Sequence, residues 1–482
     1  MAYSMSFKGE RRNYLSVARG RKRPVFAPLK RNYLTVPGVP GSRLKSTDID
    51  SRPLDIPVRI RANNMEELQK VKEDLAAWLY SEKEEPLIID DEPDRIYYAV
   101  VDGQLDLDEL VNRGKGTISF LARPFKYSTV SKYQHSSVFD DLSLLTVKNQ
   151  GTVETYPTFE IQADKEYTYI DVTNGDQVNR IGRIVNIEEY ARKREELILN
   201  DKLTTTVSWV KTEGSVRIDG LATGTMKSDG YRFIAENFGT MTDGWHGPFY
   251  KKSLGQELTD FQLEAFLELI NTGEDKFGKV EVYLLDADNL PVCMLSLKDV
   301  DSAGKRIYAT VRMGGGDVAY KDIISTHGEK EHTFWNFYGI LRVKKVGNQW
   351  EAYVSTIDKQ TGKHTARTFK AYSDGEQQFT RKPTQIGIYI AQYGSRSAAS
   401  MRADDVRVYK INSLTENQIP YIVQAGDIIT FNHEEELVLI NGEDRTDLLA
   451  FGGEFFPLAR GDNMIAGSPP LPIKAMWRER FR

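Results

Sequence analysis

Six aromatic side chains in the middle of the chain have the neighbours that sugar recognition requires: Trp245, Trp335, Tyr338, Trp350, Tyr389 and Tyr393. A sugar's apolar face stacks on an aromatic ring, and its hydroxyls bond to amide or carboxylate side chains. Two runs carry both components, Trp335-Asn336-Phe337-Tyr338 and Tyr389-Ile390-Ala391-Gln392-Tyr393. The same rings would also fill the core of a β-sandwich. Strand alternation puts Tyr389 and Tyr393 on one face, so both can be buried together.

Arrangements for catalysis are sparse. The chain has no Gly-x-Ser-x-Gly elbow, no His-Glu-x-x-His and no phosphate-binding loop. Gly314-Gly315-Gly316 lacks the Lys and the strand-to-helix context that phosphate binding needs, and reads as a plain loop. A glycosidase needs two carboxylates roughly 5–10 Å apart, a separation that chain spacing does not define. Asp286-Ala287-Asp288-Asn289 has the oxygens of a calcium loop, but reads better as a hairpin turn with solvated acids. His327 and His332 flank Gly-Glu-Lys-Glu with no third ligand in view. Arg460-Gly461-Asp462 reads as a tight turn. The expectation is a protein that is not an enzyme and needs no cofactor or metal.

Composition narrows the class. The chain has 482 residues and a mass of 54.8 kDa, enough for about three domains. With 40% hydrophobic and 28% charged residues it is an ordinary folding sequence. The net charge of −5 indicates no whole-chain attraction to nucleic acid. One cysteine, Cys293, excludes an internal disulfide framework and cysteine-rich zinc sites. No run approaches the ~20 apolar residues of a membrane helix. The N-terminal residues lack an apolar core, so no secretory signal is expected, and an extracellular site of action would be reached by another route such as lysis.

Charge is uneven. Residues 1–45 hold eleven Lys or Arg and one acid, Glu10, a local net charge of +10. Arg11, Arg12, Arg21, Lys22 and Arg23 are its centre. Such a run suits either a nucleic-acid contact or a solvated or intersubunit surface.

The elements that must position these residues are mostly strands, in keeping with 24 Tyr and 21 Phe. One helix stands out, over 65–80: Leu68, Val71, Leu75, Trp78 and Leu79 form an apolar stripe, and Asn63 or Asn64 can cap it. It should pack across strands at 87–90, 96–101 and 116–123, an α+β domain covering 1–130. From 131 onwards the signals are β: strands at 158–162, 167–172 and 181–186, with a tight primed turn at Asn174-Gly175. The same texture returns at 426–432 and 436–441. Between them lie strands at 279–285, 306–313, 338–346, 349–355 and 385–391, the makings of a second sandwich.

The two ends of the chain resemble the distal tail protein family of long-tailed bacteriophages. The likeness is carried by an ordered series: Val36-Pro37-Gly38 after the basic run, Leu75-Ala76-Ala77-Trp78-Leu79, Leu87-Ile88-Ile89-Asp90-Asp91-Glu92-Pro93, Tyr97-Tyr98-Ala99-Val100 and Gly116-Thr117-Ile118-Ser119-Phe120 with Pro124. It continues through Asn149-Gln150-Gly151-Thr152, Tyr156-Pro157-Thr158-Phe159-Glu160, then Phe455-Phe456-Pro457-Leu458 and Gly461-Asp462-Asn463. The resemblance spans about 1–195 and 413–482.

It implies a mainly β chain with an α+β N-terminal belt domain and a galectin-like β-sandwich interrupted by a jelly-roll-like insert. The expected segments are a belt over 1–130, a galectin-like domain in two parts, 131–195 and 413–482, and an insert over 196–412. Some family members carry inserts resembling carbohydrate-binding modules. Here Asp243-Gly244-Trp245-His246-Gly247-Pro248 followed by 261–270 is compatible with a concanavalin-like jelly roll. The implied role is a hub at the virion tail tip, made in the host bacterial cytoplasm. A homohexameric ring would contact the tail tube protein and the tail-tip proteins. DNA would be only transient cargo, and host cell-wall polysaccharide would be the insert's ligand. The five basic residues would face the lumen or a neighbouring subunit. The alternatives for the insert are a cell-wall glycan hydrolase and a purely structural docking domain.

Overall fold

The computed structural model describes residues 4–482 except 36, 39, 106, 107, 111, 112, 215, 216, 242, 272, 274, 275, 303–305, 317 and 318. Val36 of the Val-Pro-Gly run therefore lies outside the described residues. Strands dominate, and the one α-helix among the described residues is Met65–Leu79.

That helix forms for local reasons. Asn64 Oδ1 accepts the Glu67 amide at 2.8 Å, and Glu67 reaches back to the Asn63 amide at 2.7 Å. Its buried face, Leu68, Leu75, Trp78 and Leu79, packs on a sheet ordered Met5–Phe7, Glu85–Ile89, Arg95–Val101, Arg113–Ala122, Arg52–Arg61, Leu15–Val17. Trp78 Nε1 donates to the Phe7 carbonyl at 3.2 Å, which ties the helix to the first strand. A hairpin of Leu29–Leu34 and Arg43–Ile49 pairs only with itself. Its side chains are almost all exposed, including Tyr33, Leu34 and Leu44.

A first sandwich follows. One sheet runs Lys132–His135, Ile473–Trp477, Thr158–Gln162, Ile428–Asn432, Leu437–Ile440, Glu443–Asp444. The other runs Ser137–Val138, Ser143–Asn149, Gly461–Ser468, Tyr169–Thr173, Val178–Gly182. Their inner faces meet over Val147, Phe159, Val172, Phe431 and Ile465. The turn at Asn174-Gly175 is not the expected primed pair. Thr173 pairs with Val178, leaving four residues in the loop. Asn174 Oδ1 accepts the amides of Asp176 and Gln177, so the side chain shapes the loop. The C-terminal strand Arg480–Phe481 joins this sandwich to the first sheet, through Lys126–Ser128 and then Arg95–Val101.

The second sandwich interrupts the first. The chain leaves along Tyr190–Arg192, paired in parallel with Gln418–Pro420. Asn412 closes the neck, its amide donating to the Arg194 carbonyl at 2.7 Å. Between these points one sheet runs Thr225–Ser228, Phe233–Asn237, Ser400–Ile411, Phe261–Ile270, Phe337–Val346, Gln349–Ile357, His364–Ser373, with Glu195–Asp201 also on Ser400–Ile411. The facing sheet runs Val210–Thr212, Phe249–Ser253, Gln385–Tyr393, Gly278–Leu285, Pro291–Asp299, Ile307–Gly314, Tyr320–Thr326. Strand after strand is buried on both faces.

Candidate functional site

The six aromatic candidates separate into two sets. Trp350 is 0% exposed and sits between the sheets, edge-on to Phe261 at 5.8 Å. Tyr389 is also 0% exposed. The expectation of ligand contact is corrected for Trp350, which is core; Tyr389 is closed off by a covering segment. The other four stay at least partly open. They lie at one end of the sandwich, where strands Gln385–Tyr393 and Phe261–Ile270 end and Gly278–Leu285 and Phe337–Val346 begin.

Trp245 opposes Tyr393 across a strand pair, with ring centroids 5.2 Å apart and nearly perpendicular. Phe277 follows at 6.3 Å from Tyr393, with the Arg396 guanidinium 4.4 Å over its ring. The Tyr393 hydroxyl bonds to Asp243, which raises its pKa. Trp335, 49% exposed, stands beside His332 at 5.4 Å. Tyr338 carries the Lys359 ammonium 4.4 Å over its ring. Lys359, Arg402 and Arg232 converge on Glu268 at 2.8, 2.7 and 3.0 Å. Burial disfavours charge on Glu268, but Lys359 and Arg402 hold its carboxyl below the ordinary range.

A second group, unexpected from the sequence, lies on the outer face of the Gly278–Leu285 sheet. Lys279 (0% exposed) and Glu281 (2%) stand there 3.3 Å apart. Tyr283 and Ser296 donate to Glu281 at 2.6 and 3.2 Å. Residues 217–222 cross above. Asp219 pairs with Lys279 Nζ at 3.0 Å, and the Tyr389 hydroxyl donates to the Leu221 carbonyl at 3.1 Å. Gly220 passes at φ +142°, and a Cβ there would meet the Tyr389 hydroxyl at 2.5 Å. The readable signal was alternation: Lys279, Glu281 and Tyr283 are interleaved with Val280, Val282 and Leu284.

Four of the five residues at the centre of the basic run are paired with acids within the subunit. Arg11 pairs with Asp90, Arg12 with Asp74 and Glu10, Arg21 with Asp91, and Arg23 with Asp91 and Glu92, at 2.6–3.0 Å. Lys22 pairs through its main chain with Asp55 and leaves its side chain exposed. Among the described residues no group of three or more His, Cys, Asp or Glu could hold a metal. His327 instead meets the Tyr308 ring edge-on, and Asp286 closes its own turn by accepting the Asp288 and Leu290 amides.

The ends of the chain match two known domains. Residues 12–122 match the phage tail protein RIFT-related domain, and residues 389–481 match the C-terminal domain of siphovirus-type tail components. The chain thus carries a phage tail domain at its N-terminal end and a siphovirus-type tail domain at its C-terminal end.

Solved structures give looser likenesses. The Dit protein of phage SPP1, described as a hub adsorption apparatus in phages infecting Gram-positive hosts, is 19% identical; the match covers 38% of this chain and 75% of that one, with a TM-score of 0.32. The CBM2 module of the evolved Dit from Lactobacillus casei BL23 phage J-1 is 13% identical over 47% of this chain and all of that one, TM-score 0.39. The catalytic domain of a Thermotoga petrophila endo-1,3-beta-glucanase is 12% identical over 46% and 100%, TM-score 0.30. No curated protein sequence matches the chain.

Proposed function

We propose that the chain is a ring-forming hub at the distal end of a siphophage tail whose insert binds host cell-wall carbohydrate. The observation that carries this reading is the pairing of tail domains at both chain ends with a sandwich that leaves Trp245 and Tyr393 open on one sheet and Trp335 and Tyr338 open beside the other. In this reading 1–130 is the belt, 131–195 and 413–482 form the galectin-like domain, and 196–412 is the recognition module. The self-paired hairpin, with Tyr33, Leu34 and Leu44 exposed beside Val25 and Phe26, supplies the apolar surface for a neighbouring subunit. Head-to-tail contacts that close give a homohexamer. The tail tube protein and the tail-tip proteins are its partners, and DNA passes as transient cargo. With Arg11, Arg12, Arg21 and Arg23 engaged in the subunit, Lys22 and the hairpin's Lys30, Arg31, Arg43 and Lys45 become the cations for the lumen or the subunit contact. The protein is made in the host cytoplasm and acts at the virion tail tip.

Six modules on one ring would act together, so weak affinity per module suffices. Rings stack on the sugar's apolar face, while Asp243, Arg396 and Gln392 offer polar partners. The insert is not a hydrolase in this reading. On the covered face, Asp219 and Glu281 share one ammonium, and Glu281 is buried. A glycosidase pair must flank an accessible bond.

A second reading, docking, has its own support. The insert grips the galectin-like domain through Arg342 on Glu443 (2.6 and 2.9 Å) and Arg367 on Asp444 (3.1 Å). Lys330 also lies 3.5 Å from Glu82 of the belt.

Solution mass with negative-stain imaging tests the ring: a closed hexamer weighs about 330 kDa, six times the subunit. Pull-down on purified host wall polysaccharide tests the module. Loss of binding in W245A and W335A supports recognition by these rings. Unchanged binding, or none by the parent, returns the insert to docking.

A further inference from the structure

The covered face of the insert is built around an anion that its own chain supplies. Lys279 is fully buried, and a buried ammonium requires opposite charge. Glu281 provides one partner and belongs to the floor, held there by Tyr283 and Ser296. Asp219 provides the other from above, and its side chain is 55% exposed, so it reaches in from solvent. Burial disfavours the Asp219 charge, but Lys279 holds its carboxyl below the ordinary range. Main-chain groups of the cover add further contacts: Asp219 O accepts from Lys279, Leu221 O accepts from Tyr389, and the Asp219 amide donates to the Tyr283 hydroxyl at 3.4 Å. The Trp245 and Tyr389 rings stand 5.0 and 5.2 Å from the Lys279 nitrogen.

We propose that residues 217–222 are a built-in occupant of a binding groove for an acidic glycan, with Asp219 in the place of the glycan's carboxylate or phosphate. The groove's cation would bind the acid group and its rings the sugar. The cover's attachment suits exchange. It includes the short parallel pairing of Leu221 with His246 and Ala222 with Gly247, one bridge between Gly214 and Ala222, apolar contact from Ile218 and Ala222, and the polar contacts at Asp219 and Leu221. A ligand bringing the same oxygens replaces one set of hydrogen bonds with another. While the cover is closed, apparent affinity is reduced by the fraction open. The proposal rests on the carbohydrate reading of the insert.

The test uses the full-length protein and D219N, which keeps the side chain's shape and removes its charge, with Y389F as a second variant that loosens the cover at Leu221. Titration calorimetry would compare polygalacturonate (carboxylate), poly(glycerol phosphate) (phosphate) and a neutral β-glucan. Expected is a gain of about tenfold in affinity for an acidic polymer in both variants, lost at high salt. Gain for one polymer alone assigns carboxylate or phosphate. A folded D219N with an unchanged melting profile and no gain overturns the proposal. If the parent still binds neutral glucan or wall polysaccharide, the carbohydrate reading stands without the cover. No binding of any polymer by any of the three proteins removes both.

Discussion

The chain contains two β-sandwiches that close in different ways. The insert closes with its own chain: its first strand, Glu195–Asp201, pairs with its last, Ser400–Ile411. The galectin-like sandwich closes only when Gly461–Ser468 and Ile473–Trp477 return, more than 300 residues after their partners Ser143–Asn149 and Lys132–His135. The two also treat their outer surfaces differently. The insert lays residues 217–222 over a charged pair. The galectin-like sandwich leaves open a groove of about 410 Å³, lined by Lys132, Tyr133, Lys148, Gln150 and Trp477. One chain therefore holds a self-closed unit inside a unit closed by distant segments. The first can be added to the second because the neck at Arg194 and Asn412 brings its ends together.

The largest effect should come from breaking the insert alone. Trp350→Ala removes a fully buried ring and should cost about 3–5 kcal/mol. In calorimetry the insert's transition should fall while the galectin-like transition holds. An equal fall in both would show that the sandwiches are not independent.

The next perturbation acts on the other sandwich through pH. Burial pushes the His433 pKa down from 6.5 to about 4, with Nδ1 2.9 Å from both the amide and the carbonyl of Phe456. The folded state thus binds a proton less readily than the unfolded chain. The stability this provides is present above the unfolded value and is lost as pH falls from 6.5 through about 4. The loss should be about 3 kcal/mol, read by urea unfolding of the galectin-like transition. A flat profile over that range would contradict it.

Coupling between the sandwiches should be smaller. Glu443→Gln removes the charge that Arg342 clamps and should weaken the junction by about 2 kcal/mol, spreading the two transitions apart. Gly442→Ala should act in the same direction, because its Cβ would lie 2.1 Å from the Gly362 carbonyl oxygen. The smallest effect on stability belongs to Trp335→Ala, within about 0.5 kcal/mol for a half-exposed ring. Its signature should be reduced retention on wall polysaccharide with unchanged melting.

Much of the architecture was legible because it is written in local patterns. The stripe Leu68, Leu75, Trp78 and Leu79 behind Asn64 specifies a helix and its buried face. The strand at 158–162 and the mainly β class follow from β-branched and aromatic runs between turn residues. The ordered series at the two ends pointed to the tail family, as the two domain matches do. One candidate, Trp350, misled because an aromatic suited to stacking is equally suited to packing. Composition determined the class and the alternation along single strands. Tertiary structure alone decided which ring is core and which is open. It also paired Arg21 and Arg23 with acids some 70 residues on, and set Asp219 over Lys279 from 60 residues away. Such partnerships depend on sheet register, which joins residues by position across strands rather than along the chain.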